Sequence, residues 1–296
     1  MDHRDVRLGE QLRDDSPFKT AMLEQITHMK APSLRADARH LNPVWLYNTW
    51  KNHKAMDSVI LPKLEAHKDR KADDATLVDL VLGDDKANNK TSTPERNSEI
   101  VQGLISNIKS FAFAGHDTTA TTICWCFYNL SRYPSAMAKL QAEHKQILGP
   151  DPRQASDILL QDPQKINDLP YTLAVIKETL RTHAIVHSFR KGDPSLELKT
   201  SRASVSTDGF LIIIAGPALH LHPELWHKAE EFIPERWLVS KDDPLYPPPH
   251  AWRPFEHGPL NCIGQELALI ELKLLLVRLV REVEMVPAWE KWDKLQ

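Results

Sequence analysis

Cysteine and glycine are scarce in this chain, which has 3 cysteines and 10 glycines in 296 residues. So few cysteines exclude a disulfide-dense secreted scaffold and fit a reducing compartment. Cys124 and Cys126 stand two apart in a predicted helix, where they point to different faces and form neither a disulfide nor a chelate. Because HExxH and CxxC are also missing, the sequence gives a zinc site little support.

Long hydrophobic runs and a basic excess are missing too. No apolar stretch approaches the ~18 residues that a membrane span needs, and residues 267–280 are interrupted by Glu271, Lys273 and Arg278. The charged N-terminus has no apolar segment behind it, which predicts no signal peptide. A net charge of −3 argues against a nucleic-acid partner, since little positive charge is available to neutralise phosphates.

Proline and apolar periodicity predict a mainly α fold with a small β-sheet. Several of the 21 prolines stand at segment edges, such as Pro94, Pro134 and Pro170, where proline suits the first turn of a helix. Strand-like sequence is confined to residues 196–215. Residues 1–33 are polar and are expected to be poorly ordered, whereas 34–296 hold the domain. The predicted helices cover residues 41–68, 75–83, 94–133, 135–148, 267–280 and a segment that opens at Leu169.

Near the C-terminus, Cys262 lies between Gly258 and Gly264, directly ahead of a long apolar helical stretch. The N-terminus of a helix presents unpaired N–H groups and partial positive charge, which favour the thiolate form that binds a metal. Glycines let the backbone approach a flat ligand closely. A lone cysteine is more often a small inert core residue. This segment alone leaves both interpretations open.

The predicted helix over residues 94–133 has an unusual middle. Residues 114–119 read Ala-Gly-His-Asp-Thr-Thr, and a glycine inside a helix costs about 1 kcal/mol. Such a run is either a solvated helical face or a functional site at which a local rule is broken. Further along, Glu178 and Arg181 stand three apart on one helical face; an exposed pair of this kind contributes under about 1 kcal/mol.

Four motifs, taken in order, resemble the cytochrome P450 superfamily. They are Ala-Gly-His-Asp-Thr-Thr in a long helix, Glu-x-x-Arg at Glu178 and Arg181, Pro-Glu-Arg-Trp at residues 234–237, and Phe-x-x-Gly-x-x-x-Cys-x-Gly at residues 255–264. Each alone could arise by chance, but all four at plausible spacing indicate the family. The residues around the last two motifs are similar to those of eukaryotic, and in particular fungal, members. The resemblance implies a partial P450 fold, namely its C-terminal, haem-binding part.

The resemblance also implies roles for individual residues. It makes Cys262 the axial thiolate of the iron of haem b, with Gly258 and Gly264 in the same segment and Phe255 shielding the sulfur. Arg190 matches a position that often pairs with a haem propionate. A buried triad would position the haem-binding segment without doing chemistry; its members would be Glu178, Arg181 and Arg236.

On the distal side, Asp117 and Thr118 match the acid–alcohol pair that delivers protons for oxygen activation. Other family positions line the substrate pocket, although each could equally be ordinary core: Phe111, Phe113, Ala114, Ile185 and Val186. The implied reaction inserts one atom of O2 into a small apolar organic substrate, as in fungal secondary metabolism. Because no GxGxxG fingerprint occurs, the electrons would come from NADPH through a separate NADPH-cytochrome reductase.

Three departures from the family pattern leave two hypotheses. Family members are usually longer, with a membrane anchor that puts them on the cytoplasmic side of the endoplasmic reticulum; without one, this chain is expected to be cytoplasmic or peripheral. The β-hairpin that usually follows at the C-terminus is also missing, and Leu260 stands where an arginine or histidine commonly faces a propionate. The chain is therefore either a haem-thiolate monooxygenase or a non-catalytic, truncated remnant that does not retain haem.

Overall fold

The computed structural model describes residues 16–30, 42–67 and 94–283, so the predicted helix at 75–83 lies outside the described residues. The mainly helical class is confirmed, and proline begins five of the helices because its fixed φ suits a first turn. The helices are α1 (Pro17–Lys30), α2 (Pro43–His67), α3 (Pro94–Arg132), α4 (Pro134–Leu148), α5 (Ala155–Gln161), α6 (Pro170–Thr182), α7 (Gly216–His220) and α8 (Gln265–Leu279). Short 3₁₀ turns occur at Pro152–Gln154, Pro163–Asp168, Pro234–Trp237 and Gly258–Leu260.

The strands form two separate two-stranded antiparallel sheets rather than the single small sheet predicted within residues 196–215. In one sheet β1 (Ser188–Lys191) pairs with β4 (Leu211–Ile214). In the other, β2 (Glu197–Lys199) pairs with β3 (Ser204–Ser206). The prediction missed β1 because a four-residue strand that ends in two cations has little apolar pattern, and its partner lies some twenty residues later in the sequence.

Contacts divide the chain into two units, Met1–Ala114 and Gly115–Gln296. In the first unit α1 packs on α2, and the buried residues include Ala21, Met22, Ile26 and Met56. Within the polar stretch of residues 1–33, Pro17–Lys30 form a helix. Three of its apolar side chains, Ala21, Met22 and Ile26, lie on one helical face and are buried against a neighbouring helix.

The core of the second unit joins the C-terminal half of α3 to α4, α6 and α8. Its buried side chains include Phe127, Leu130, Leu140, Val175, Ile176, Leu272 and Leu276. Helix α6 lies at the centre, and nine of its thirteen residues are buried. Across the part of the chain that the structure describes, no helix combines the length and the apolar character needed to cross a membrane.

Candidate functional site

Cys262 lies at the end of a loop that its own backbone closes. Its N–H donates to the Phe255 carbonyl at 2.8 Å, and its carbonyl accepts from the N–H of Gln265, the first residue of α8, at 3.3 Å. Inside the loop, Gly258 has a φ of 77° and Glu256 a φ of 60°, a left-handed conformation that a residue with a Cβ rarely adopts. Strain of this kind persists only where the surroundings fix the backbone, so the loop has one defined shape.

Gly264 lies directly beside the sulfur. Its φ is −86°, which any residue adopts, so its conformation does not require glycine. A Cβ added there would lie 3.9 Å from Cys262 Sγ, within van der Waals contact. The missing side chain therefore keeps one flank of the sulfur clear, and Cys262 is exposed.

A cavity of about 220 Å³ opens against this cysteine within the second unit. Helix α3, the segment after α6 and the cysteine loop each contribute to its wall. Apolar side chains form much of the wall, together with one thiol, several hydroxyls and one ion pair. The lining residues are Thr118, Thr119, Thr122, Leu180, Ile185, Val186, Ser188, Arg253, Pro254, Phe255, Glu256, Leu260, Cys262, Ala268 and Leu272.

The threonines of α3 face this cavity. The Thr122 hydroxyl donates to the Thr118 carbonyl at 2.8 Å, one turn earlier. The Thr119 hydroxyl is buried, lines the cavity and has no hydrogen-bond partner among the described residues. Asp117 is not part of the cavity wall; its side chain is about half exposed, with Oδ1 3.6 Å from His116 Nδ1. Because a buried hydroxyl without a partner is costly, the site favours a polar atom beside Thr119.

Behind the loop, Glu178, Arg181 and Arg236 form a fully buried ion cluster. Arg181 uses all five of its N–H donors: two bonds reach Glu178, and three reach the carbonyls of residues 220, 229 and 231. Glu178 also accepts from Arg236 Nε at 3.0 Å and from Trp237 Nε1 at 3.0 Å. Burial lowers the pKa of Arg236, and the charge of Glu178 opposes that shift. Every member of the cluster is satisfied.

Two connections lead from this cluster to the cysteine loop. His220, whose carbonyl binds Arg181, accepts the backbone N–H of Arg253 on Nε2 at 2.9 Å. Burial lowers the pKa of His220 to about 4, which keeps Nε2 an acceptor near neutral pH. The second connection is a row of aromatic rings. The ring centroids of Trp237 and Trp252 are 5.4 Å apart, and those of Trp252 and Phe255 are 6.0 Å apart. The position of the loop therefore depends on the cluster.

Charged side chains gather at one edge of the cavity. Arg253 donates from Nε and Nη2 to Glu256 Oε2, at 3.0 and 2.6 Å. Burial alone would raise the pKa of Glu256, but hydrogen bonds from Ser188 and Arg253 and the charge of Arg190 hold it below its usual range. Arg190 lies on β1, donates to the Phe189 carbonyl and is not part of the cavity wall.

The cavity brings together five of the residues singled out in the sequence: Thr118, Ile185, Val186, Phe255 and Cys262. Gly258 and Gly264 lie in the same loop, and Glu178, Arg181 and Arg236 lie behind it. Phe111, Phe113 and Ala114 belong to the other unit, where all three are exposed. Sequence reasoning gave no role to Thr119, the last residue of the Ala-Gly-His-Asp-Thr-Thr motif, or to Arg253, which lies two residues before the cysteine motif.

Comparison with known proteins agrees with this geometry. The Cytochrome P450 family profile matches residues 6–296. The chain is 34% identical over 285 residues to the cytochrome P450 monooxygenase polC of Polytolypa hystricis, covering 94% of this chain and 51% of that protein. It is 31% identical over 305 residues to the cytochrome P450 monooxygenase acrF of Aspergillus aculeatus, covering 92% of this chain and 59% of that protein.

The fold has a counterpart among solved structures. The crystal structure of the cytochrome P450DA heme domain superposes with a TM-score of 0.65 at 22% identity, over 89% of this chain and 54% of that one. The chain thus spans little more than half of the relatives that it matches. Motif order, fold and family profile agree, and the chain belongs to the cytochrome P450 family.

Proposed function

We propose that this chain is the haem-binding part of a monooxygenase that inserts one oxygen atom from O2 into an organic substrate. The observation that carries the proposal is that Cys262 and the α3 threonines share one cavity, with the thiol on one wall and Thr118 and Thr119 on another. A thiolate ligand and distal hydroxyls are the two groups that this chemistry needs close together.

The residues at the cavity fit a haem. A haem is a flat apolar ring that carries two carboxylates, and it requires a ligand for its iron. The wall offers the apolar side chains of Leu180, Ile185 and Leu272, the thiol of Cys262, and a guanidinium at Arg253. The unpartnered hydroxyl of Thr119 also calls for a polar group in this space. When haem is bound, its iron would activate O2 and supply one oxygen atom for transfer to carbon.

The proximal residues hold the ligand in place. Cys262 would supply the thiolate that binds the haem iron, and the hydrogen bond from its own N–H to the Phe255 carbonyl fixes the loop around the sulfur. Phe255 packs against the core and would shield the thiolate once haem covers the cavity. The ion cluster of Glu178, Arg181 and Arg236 anchors the loop through His220 and the aromatic row. These residues position the ligand and take no part in the chemistry.

The distal residues handle protons. Asp117 is about half exposed, so its carboxylate can take up a proton from water. Thr118 follows it on α3 and lines the cavity, where its Oγ1 can hold that proton and pass it on. We assign the substrate pocket to apolar side chains that include Ile185 and Val186 at the cavity. Phe111, Phe113 and Ala114 of α3 are proposed as further substrate-pocket residues.

The remaining parts of the reaction come from outside this chain. Two electrons would arrive from NADPH through a separate NADPH-cytochrome reductase. The proposed substrate is a small apolar organic molecule, as in fungal secondary metabolism; the two relatives are themselves named cytochrome P450 monooxygenases. The cytoplasmic face of the endoplasmic reticulum is the proposed place of the whole protein. Arg190 is proposed to face a haem propionate, since its charge already acts at this edge of the cavity.

The test is the absorption spectrum of the purified chain, reduced and bound to carbon monoxide. A thiolate-ligated haem gives a red-shifted Soret band, which Cys262→Ala should abolish and Cys124→Ala, at another exposed cysteine, should preserve. Thr118→Ala should keep the band, but the variant should consume electrons without forming a matching amount of product. A chain that takes up no haem, or shows an unshifted band, would be the non-catalytic remnant instead.

A further inference from the structure

Arg253 and Leu260 share the cavity wall with Cys262. Leu260 ends the 3₁₀ turn Gly258–Leu260 and is an exposed side chain without a hydrogen-bond donor. Arg253 precedes the loop, and its side chain is 27% exposed. Both residues therefore meet the same space, but only Arg253 brings a charge to it.

The Arg253 guanidinium has donors to spare. Nε and Nη2 both bind a single oxygen, Oε2 of Glu256, at 3.0 and 2.6 Å. A guanidinium has five N–H donors, and Nη1 has no partner within the ranges that the structure describes. Arg253 can therefore bind a second acceptor without releasing Glu256.

The charge at this edge of the cavity is unbalanced. Two guanidiniums, those of Arg253 and Arg190, act on the single carboxylate of Glu256, so positive charge is in excess among these three side chains. The hydrogen bond that Ser188 gives to Glu256 adds no charge. An anionic group of a ligand in the cavity would therefore find a cation that is already ordered by a neighbouring residue, so little rotamer entropy is lost on binding.

We infer that Arg253 binds a carboxylate of the haem and thereby replaces the cation that this chain lacks at Leu260. The inference rests on the proposed function, because it requires haem in the cavity. It assigns to Arg253 a cofactor-binding role that no motif predicts. Glu256 then orients the guanidinium, and Arg190 adds a second positive charge nearby.

The test compares the binding of haem with that of a haem derivative that differs only in its carboxylates. The chain without haem is titrated with haem and with haem dimethyl ester, in which both carboxylates are blocked. Arg253→Gln should weaken haem binding about tenfold or more, the usual effect of losing one charged hydrogen bond, and should leave the binding of the ester unchanged. Arg202→Gln removes an exposed cation elsewhere in the same unit and serves as the matched control.

A second variant guards against loss of folding. Leu260→Arg, added to Arg253→Gln, should restore most of the lost haem affinity and have no effect on the ester. Equal losses for haem and ester would assign Arg253 a structural role in the loop and overturn the inference. Unchanged haem binding by Arg253→Gln would overturn it as well. Failure of the unaltered chain to give a thiolate-ligated haem would instead refute the proposed function, and the inference with it.

Discussion

Glu178→Gln is the most direct test of the ion cluster behind the cysteine loop. The variant keeps the shape of the side chain but removes the carboxylate that pairs directly with Arg181 and Arg236, and all three side chains have no exposed surface. The new amide would also direct an NH2 group at these donors. Breaking a buried ion pair by neutralising one partner typically costs about 3–5 kcal/mol. Since a whole domain has about 5–15 kcal/mol of stability, this variant should be close to unfolding.

Urea unfolding followed by tryptophan fluorescence measures this loss. Trp226 lies 5.2 Å from the Arg181 guanidinium, and the Trp237 indole donates to Glu178, so both rings report on the cluster. Glu282→Gln is the matched control, because Glu282 forms an exposed pair with Arg278 at 3.7 Å. Such a surface pair contributes under about 1 kcal/mol.

If Glu178→Gln destabilises the chain no more than the Glu282→Gln control, about 1 kcal/mol, then the buried cluster is not held together by charge. The backbone carbonyls bound to Arg181 would then be sufficient to hold it. The charge of the cluster would then not be what positions the cysteine loop.

Three further predictions concern pH, glycine and charge. Burial lowers the pKa of His220 from 6.5 to about 4, so between these values protons bind the unfolded chain preferentially and stability falls as pH falls, by up to about 1.4 kcal/mol per pH unit. Urea unfolding at several pH values should show a shallower fall for His220→Gln; an equal fall would assign the effect to other groups. Gly192→Ala should lower the midpoint of thermal unfolding, since the added Cβ would lie 1.6 Å from the Thr207 carbonyl oxygen. Gly103→Ala is the comparison: the position is open and helical, so this variant should raise stability by up to about 1 kcal/mol. Equal midpoints for the two variants would contradict this. Glu256→Gln should weaken haem binding by up to about tenfold in the same titration, because the Arg253 guanidinium loses the carboxylate that orients it; tighter binding would show that the negative charge of Glu256 on the cavity wall outweighs its orienting role.

Local chemistry made the helices predictable from the sequence. Pro94, Pro134 and Pro170 begin helices because the missing N–H of proline costs nothing in a first turn. The strand pairing was not predictable in this way. Ser188 lies opposite Ile214, and which residues meet across a sheet depends on contacts that no local pattern encodes.

The residues of the candidate site also divide into those that local sequence predicts and those that it does not. Cys262, Thr118 and the Glu178 motif have fixed spacings, so the order of motifs was enough to find them. Arg253 lies outside the motifs, and the motif that contains Thr119 gives that residue no role of its own, because the importance of both comes from lining a cavity formed by three distant segments. A buried hydroxyl without a partner becomes visible only when its surroundings are known.

The loop around the cysteine is held by its main chain, and this separates its shape from its side chains. The hydrogen bond from the Cys262 N–H to the Phe255 carbonyl joins main-chain atoms, so apart from the left-handed backbone at Glu256 and Gly258 it requires no particular side chain between them. Leu260 and Ile263 are 66% and 89% exposed, so neither is required for packing. These exposed positions can therefore change during evolution, and so adjust cofactor affinity or partner choice, while Cys262 stays in place. The loop is for this reason a natural starting point for engineering the haem environment.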